Sequence, residues 1–154
     1  MARSNRQLTQ FAVDRLRGQL MSPTPGISTA GNTEVELEQC SCCTERPDHI
    51  VVRLFGKEIF RAYTSPLNGR TIVGVQLKTG DFYDSKGRPS RTTRERLNGL
   101  LDFVCGQKLF PEGIRVFLRE DGHCCVGKGD AAKVFDASNP TVVIMAHPTD
   151  LVVS

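Results

Sequence analysis

The feature that most constrains the fold is a series of short β-rich runs joined by short turns. The runs "HIVVRLF" (49–55), "KEIFRAY" (57–63) and "TIVGVQL" (71–77) are rich in β-branched and aromatic residues, and "EVELEQ" (34–39) alternates apolar and polar positions. The first two meet at Gly56-Lys57, where glycine at the first central position favours a type II′ hairpin. Turns this short favour an antiparallel sheet.

One strong helix signal follows these strands. Pro89 cannot lie inside a helix, so the helix begins after it. Thr92 with Glu95 three residues later fits a capping box in which Thr92 is the N-cap. Gly106 is placed to end the helix. Between them, four apolar residues recur at helical spacing and predict one stripe that packs on the sheet: Leu97, Leu100, Leu101 and Val104.

The remaining C-terminal signals complete an α+β pattern. The runs "GIRVFLRE" (113–120) and "HCCVG" (123–127) flank the hairpin signal Asp121-Gly122, "GDAAKVFD" (129–136) fits one or two helical turns, and "TVVIMAH" (141–147) predicts a last buried strand. We therefore expect residues 34–154 to form a single α+β domain: a small, mostly antiparallel sheet packed by one central helix.

The N-terminal third predicts a helix on a linker. Residues 5–20 place Leu8, Phe11, Ala12, Leu16 and Leu20 on one face of an amphipathic helix, with four arginines elsewhere on it: Arg3, Arg6, Arg15 and Arg17. Residues 21–33, "MSPTPGISTAGNT", are rich in Pro, Gly, Ser and Thr and predict a flexible linker. The helix, residues 1–20, is then an appendage that docks on its own domain or on a partner, including a second copy of the chain through residues 5–20.

Composition excludes few functions. The chain has 154 residues and a formal net charge of +3, which is too weak to imply nucleic-acid binding without a local cluster. It holds no run of about 18 apolar residues and no apolar N-terminal signal, so we expect no membrane association and a cytosolic location. In a cytosol, the six cysteines favour free thiols or metal ligands over disulfides.

A local cationic cluster surrounds the predicted helix start. The stretch "SKGRPSRTTRERLNGLL" (85–101) carries five cations against the single acid Glu95. A helix N-terminus has unpaired N–H groups and a positive dipole, and both favour anions. The alternative is that these side chains are simply solvated. The predicted nucleic-acid or anion-binding residues are Lys86, Arg88, Arg91, Thr92, Thr93, Arg94, Arg96 and Asn98.

The cysteines allow a zinc site. Cys40 and Cys43 form one pair and His123 and Cys124 a second, which supplies the four Cys or His ligands that zinc prefers if the fold brings the pairs together. The pairs lie about eighty residues apart, far more than usual, so buried or merely reduced thiols are the alternative. No catalytic motif such as G-x-S-x-G, a P-loop or H-E-x-x-H is present, and we expect no enzymatic activity and no other cofactor.

Residues 49–126 resemble a known family. The order "IVVRLFGKEIFRAY … VGVQL … SRTTRERLNGLL … IRVFLREDGHCCV" is similar to a small domain of unknown function that is widespread in tailed-phage genomes. In that family a strand pair and a further strand precede a T-x-T-T-x-x-R-h-N helix start and a hairpin that closes on an aromatic residue. Thr92, Thr93, Arg96, Leu97 and Asn98 match, whereas Ser90 replaces the first Thr and Cys124-Cys125-Val126 replace the aromatic close. The resemblance implies a phage origin and a compact α+β fold, and no activity.

Three hypotheses for function follow. The first is a small, non-enzymatic phage binding protein that contacts nucleic acid or an acidic host partner through the basic helix start, helped by the arginine-bearing N-terminal helix. The second is a virion structural or assembly protein that interlocks with a neighbouring phage protein through that helix. The third is a zinc-stabilised or thiol-dependent enzyme. We expect the protein in the host cytoplasm or in the virion.

Overall fold

The computed structural model describes residues 3–38, 49–65, 71–107 and 109–146. Two α-helices and nine strands occur within these residues. Their bounds are α1 (Asn5–Met21), β1 (Gly26–Ala30), β2 (Thr33–Glu38), β3 (His49–Leu54), β4 (Lys57–Thr64), β5 (Ile72–Lys78), α2 (Arg91–Cys105), β6 (Arg115–Leu118), β7 (Cys124–Gly127), a 3₁₀ turn (Gly129–Ala131), β8 (Lys133–Val134) and β9 (Thr141–Met145).

The strands form two antiparallel sheets. The larger has six strands in the order β1-β2-β3-β4-β5-β9, and the smaller has three in the order β6-β7-β8. Every pairing between neighbours is antiparallel. The predicted α+β class and antiparallel sheet are confirmed, as is the hairpin that joins β6 to β7.

Two helices, rather than one, cover the inner face of the large sheet. Alternate residues of β2 and β3, such as Val35 and Ile50, are buried in the same core as the α2 stripe. Helix α1 adds Ala12 and Leu16, both with no exposed surface, to this core. The predicted stripe of α2 is confirmed, since its four residues are at most 1% exposed. No helix in the described part of the chain is both long and apolar enough to cross a bilayer.

The segment predicted as a flexible linker contains a strand. Within residues 21–33, Gly26–Ala30 forms β1 and pairs along its whole length with β2. The composition was misleading because an edge strand needs backbone hydrogen bonds to one neighbour and few buried side chains; of the five residues only Ala30 is buried. The linker prediction is therefore wrong for these residues, and α1 is tied to the domain by a strand and by its own buried face.

Two other local predictions need correction. The β3–β4 turn is centred on Phe55-Gly56, with φ of 52° and 79°, so it is a type I′ turn and not a type II′ turn at Gly56-Lys57. Strand β9 lies at the edge of the large sheet, where Val143 and Met145 are 46% and 59% exposed. It was predicted to be buried, because a run of apolar residues does not show whether both faces are covered.

Candidate nucleic-acid interface

The two helices run parallel, so both begin at the same end of the molecule. Near their starts, the Asn5 side chain accepts a hydrogen bond of 2.6 Å from Arg96. Further along both helices, the Arg17 guanidinium of α1 lies over the Phe103 ring of α2, 5.3 Å from its centroid. The contacts thus follow in the same order along both helices, so the positive ends of the two helix dipoles lie at the same end of the molecule.

A glycine permits this close approach. A Cβ atom added to Gly99 of α2 would overlap the Cγ2 methyl of Thr9 in α1. Glycine is unfavourable inside a helix by roughly 0.5–1 kcal/mol relative to alanine. Its presence in α2 therefore reflects helix packing, a reason that the sequence pattern alone did not reveal.

Serine residues cap both helices at this end. Ser4 caps α1 within a capping box, and the Ser90 side chain accepts a hydrogen bond from the third residue of α2. The prediction of Thr92 as the N-cap is wrong, because the N-cap lies two residues closer to Pro89 and the first intrahelical bond runs to the Ser90 carbonyl. Neither helix has an acidic residue in its first turn.

Arg96 is a buried part of the fold. Its side chain has no exposed surface and donates to the Thr9 hydroxyl at 2.9 Å, to the Asn5 amide oxygen and to the Thr33 hydroxyl. Burial lowers the pKa of Arg96, but a guanidinium stays protonated in proteins. Arg96 therefore does not belong to a binding surface. It places a positive charge beneath the helix starts, and its three hydrogen-bond acceptors are neutral side chains.

Two more of the predicted binding residues serve the fold. The Asn98 side chain donates to the Val116 carbonyl at 3.0 Å and accepts from the Val116 N–H at 2.8 Å. It thus makes the two hydrogen bonds that a neighbouring strand would make at the edge of β6. Thr93 is fully buried, and its hydroxyl lies 2.9 Å from that of Ser90. Asn98 is thus occupied by the backbone and is not presented to a base edge.

Two of the predicted arginines are held by carboxylates. Arg88 pairs with Asp84 at 2.8 Å, and Arg91 pairs with Glu95 at 2.7 Å. The hydrogen bond from Arg91 lowers the pKa of Glu95, which also accepts a bond from the α1 side chain Asn5. These pairs neutralise part of the cationic cluster.

Three of the cations near the helix starts form no ion pair within the described residues, although the charge of Arg94 helps to lower the pKa of Glu95. They are Arg6 in the first turn of α1, Arg94 in the first turn of α2, and Lys86 in the turn before α2. Arg94 donates only its Nε–H, to the Pro89 carbonyl at 3.1 Å. We call these three side chains, with the two helix N-termini, the cationic end.

Arg6 joins this surface only because of the fold. The sequence placed it off the apolar face of α1 but did not show that α1 begins beside α2. The groove between the helices, about 540 Å³, is lined by Arg6 and Arg17 and by the carboxylates of Glu95 and Asp102. The groove thus carries two cations and two carboxylates, and Arg6 in the first turn of α1 belongs both to it and to the cationic end.

The predicted zinc ligands do not form a site within the described residues. Cys40 and Cys43 lie outside them, and His123 is exposed in the β6–β7 turn. Cys124 has no exposed surface, and burial raises the pKa of its thiol to about 11. A protonated, enclosed thiol is neither a ready ligand nor a nucleophile. In the ranges that the structure describes, no three His, Cys, Asp or Glu side chains are close enough to hold a metal.

Comparisons of the chain with protein-family models, with curated proteins and with solved structures found no match. The resemblance to a tailed-phage domain, and the phage origin that it implies, therefore stay predictions.

Proposed function

We propose that the protein is a non-enzymatic nucleic-acid-binding protein that contacts the phosphate backbone with the cationic end. The observation that carries this proposal is the parallel packing of α1 and α2, whose first turns contain Arg6 and Arg94 and no acidic residue; Lys86 lies in the turn before α2. Unpaired N–H groups, aligned dipoles and cations at one place favour the same ligand, an oxyanion such as a phosphate.

The contacts of this surface favour binding without sequence preference. Arginine, lysine and helix N-termini position a protein on the backbone, whereas base-edge contacts read sequence. Asn98, the side chain in the predicted set best suited to a base edge, is bound to the β6 backbone. The chain has no Trp, and aromatic residues make up 6% of it, so base stacking contributes little.

The phage resemblance indicates where such a protein would act. A protein made by a phage would meet nucleic acid in the host cytoplasm, and a location in the virion is the alternative. The second hypothesis, assembly through residues 5–20, is weakened because Leu8, Ala12, Leu16 and Leu20 are at most 6% exposed within the chain's own domain. The enzyme hypothesis lacks an activated thiol among the described residues, because Cys124 and Cys125 are buried, Cys105 is half-buried, and burial raises the pKa of all three thiols.

A salt titration with matched variants tests the proposal. Arg6→Gln/Arg94→Gln removes two charges from the cationic end, and Arg15→Gln/Arg115→Gln removes two exposed arginines elsewhere. If the cationic end holds phosphates, the first variant binds duplex DNA or single-stranded RNA more weakly, by a similar factor for all sequences. Its plot of log K against log salt also flattens by up to about 2 units, whereas the control keeps the wild-type slope.

Two results would contradict the proposal. One is wild-type protein that retains neither DNA nor RNA at low salt, where surface charges are least screened. The other is an equal loss of affinity in both variants, which would reflect net charge and not a defined surface. The stability of both variants, measured by thermal unfolding, shows whether any loss of binding comes from misfolding.

A further inference from the structure

The free edge of β9 has backbone groups that point away from the sheet. Ala146 donates its N–H to Val73 of β5, and the Pro140 carbonyl accepts from the N–H of Thr79, the residue after β5. Because bonded pairs alternate in an antiparallel ladder, Val142 and Ile144 also face β5. The N–H and C=O groups of three alternate residues therefore point to the free side: Thr141, Val143 and Met145. Within the described residues, no strand pairs with that side.

An apolar groove lies beside this edge. It has a volume of about 310 Å³, and residues 142–145 of β9 form one wall. The small sheet and its connections form the other, with Ile114, Val126 and Ala131. Val143 and Met145, about half exposed, add apolar surface at the rim. Unpaired backbone next to an apolar groove is the arrangement that binds an added strand: the backbone supplies hydrogen bonds and the groove receives alternate side chains.

Strand β9 carries none of the usual protection against such pairing. Natural edge strands are commonly blocked by charged side chains, proline or a bulge. Residues Thr141–Met145 contain no charge and no proline, and their register with β5 is continuous. Among the described residues, the edge is therefore open to a further strand.

The charges around the groove indicate the kind of strand. Of the residues that the structure describes, Lys128 and Lys133 are the charged side chains that line it, and no acid does. The Lys128 stem crosses Gly113, where its Cε lies 3.6 Å from the position of an added Cβ. Two ammonium groups at the rim match carboxylates on a partner. A second copy of the chain would offer β9 itself, which is uncharged and would leave both lysines without a counter-ion.

We propose that the β9 edge and its groove bind an extended peptide segment of a protein partner, with apolar side chains at alternate positions and carboxylates at its ends. The segment adds an antiparallel strand to β9, bonds to the outward groups of Thr141, Val143 and Met145, and pairs its carboxylates with Lys128 and Lys133. This site is separate from the cationic end, and its test does not depend on nucleic-acid binding.

Fluorescence anisotropy with two labelled peptides tests the charge requirement. One probe is Glu-Val-Thr-Val-Thr-Val-Glu, and the control replaces both terminal Glu with Lys. The Glu-ended peptide should bind the full-length protein more tightly. Lys128→Gln/Lys133→Gln should weaken its binding roughly two- to twenty-fold, and Arg15→Gln/Lys57→Gln, with the same loss of charge outside the groove, should leave it unchanged.

A backbone variant tests the strand pairing. Val143→Pro removes an outward N–H and breaks no bond to β5, so the fold should tolerate it and the affinity for the Glu-ended peptide should fall roughly tenfold. If Val143→Pro does not fold, N-methylation of alternate peptide amides applies the same test to the wild-type protein: methylation on the bonding edge abolishes binding, and on the other edge it does not.

Three outcomes would overturn the inference. Equal binding of the Glu-ended and Lys-ended peptides would remove the role of the lysines. A dimer in sedimentation that Val143→Pro dissociates would give the edge to a second copy. Peptide binding that appears only after removal of residues 147–154 would assign the groove to the chain's own C-terminal segment.

Discussion

Replacing Thr33 with valine should leave the Arg96 guanidinium with one N–H group that neither protein nor water can satisfy. Thr33 and Arg96 have no exposed surface, and the Thr33 hydroxyl accepts a hydrogen bond from Arg96 Nη1. The other two acceptors of this guanidinium, Asn5 and Thr9, are only half-buried, so water can replace them. Valine keeps the shape of threonine and suits a strand, but it also removes the hydrogen bond of 2.9 Å that the Thr33 hydroxyl donates to Asn32.

The magnitude follows from the charge of the donor. A buried group left without its partner costs about 1–3 kcal/mol, and more when it is charged. We therefore expect Thr33→Val to lower the free energy of unfolding by about 2–4 kcal/mol. Arg96→Met loses three charge-assisted bonds but also removes a desolvation penalty of several kcal/mol, so its net cost is smaller, about 1–3 kcal/mol.

The double variant separates the cost of the unpaired Arg96 donor from the other effects of the two substitutions. Once Arg96 is methionine, the Thr33 hydroxyl keeps only its hydrogen bond to Asn32, so Thr33→Val should then cost about 0.5–1.5 kcal/mol. The combined loss should fall short of the sum of the single losses by about 1–3 kcal/mol. Urea unfolding, with the midpoint and slope fitted for each variant, measures all three changes. Thr29→Val on β1, where the side chain is exposed, is the matched control and should stay within about 0.5 kcal/mol of wild type.

Additive losses would refute this reasoning. If the double variant equals the sum within about 0.5 kcal/mol, the guanidinium does not depend on the Thr33 hydroxyl. A Thr33→Val loss within experimental error would likewise mean that water reaches Arg96 and that the charge beneath the helix starts is solvated.

Three further predictions concern single positions. Ser90→Ala should destabilise the protein by about 0.5–2 kcal/mol, whereas Thr92→Ala should change little, and urea unfolding compares them. Asn98→Leu should cost about 1–3 kcal/mol and speed hydrogen exchange in β6, whose backbone loses two bonds. Burial raises the pKa of Glu58, but bonds from Arg61 and Lys78 outweigh it and leave this pKa below 4.5. The stability from ionised Glu58 is therefore present above that pH and lost as pH falls through the folded pKa, and Glu58→Gln should flatten this acid limb in unfolding measured against pH.

Local patterns were sufficient to predict most elements of the fold. The β-rich runs, the helical spacing of the α2 stripe and the hairpin before Cys124 each depend on side chains near one another in sequence, and each appears in the structure. The predicted α+β class and antiparallel pairing followed from these elements and their short turns.

The errors arise where a residue's role depends on a distant segment. Gly26–Ala30 looks like a linker until β2 supplies its hydrogen bonds. Arg96 and Asn98 look like surface residues of a basic helix start, but α1 and β6 pack against that helix and take up their donors. Periodicity identifies which face of a helix is apolar; it does not show which polar residues beside that face are covered by a neighbouring element.

Packing between segments that are distant in sequence also explains why the cationic end is electrostatically unfavourable. A helix start is usually stabilised by acidic residues, and each cation there is unfavourable by some tenths of a kcal/mol. Here both helices are capped by neutral serines, Arg6 and Arg94 lie in the first turns, and Arg96 adds a buried positive charge held by neutral groups. Arg6 and Arg94 are unfavourable for the same reason, and under the proposed function a phosphate bound at the helix starts would relieve both. Arg6→Gln/Arg94→Gln should therefore leave stability unchanged or raise it slightly while it weakens nucleic-acid binding. A loss of stability in that variant would instead indicate that the two arginines support the fold.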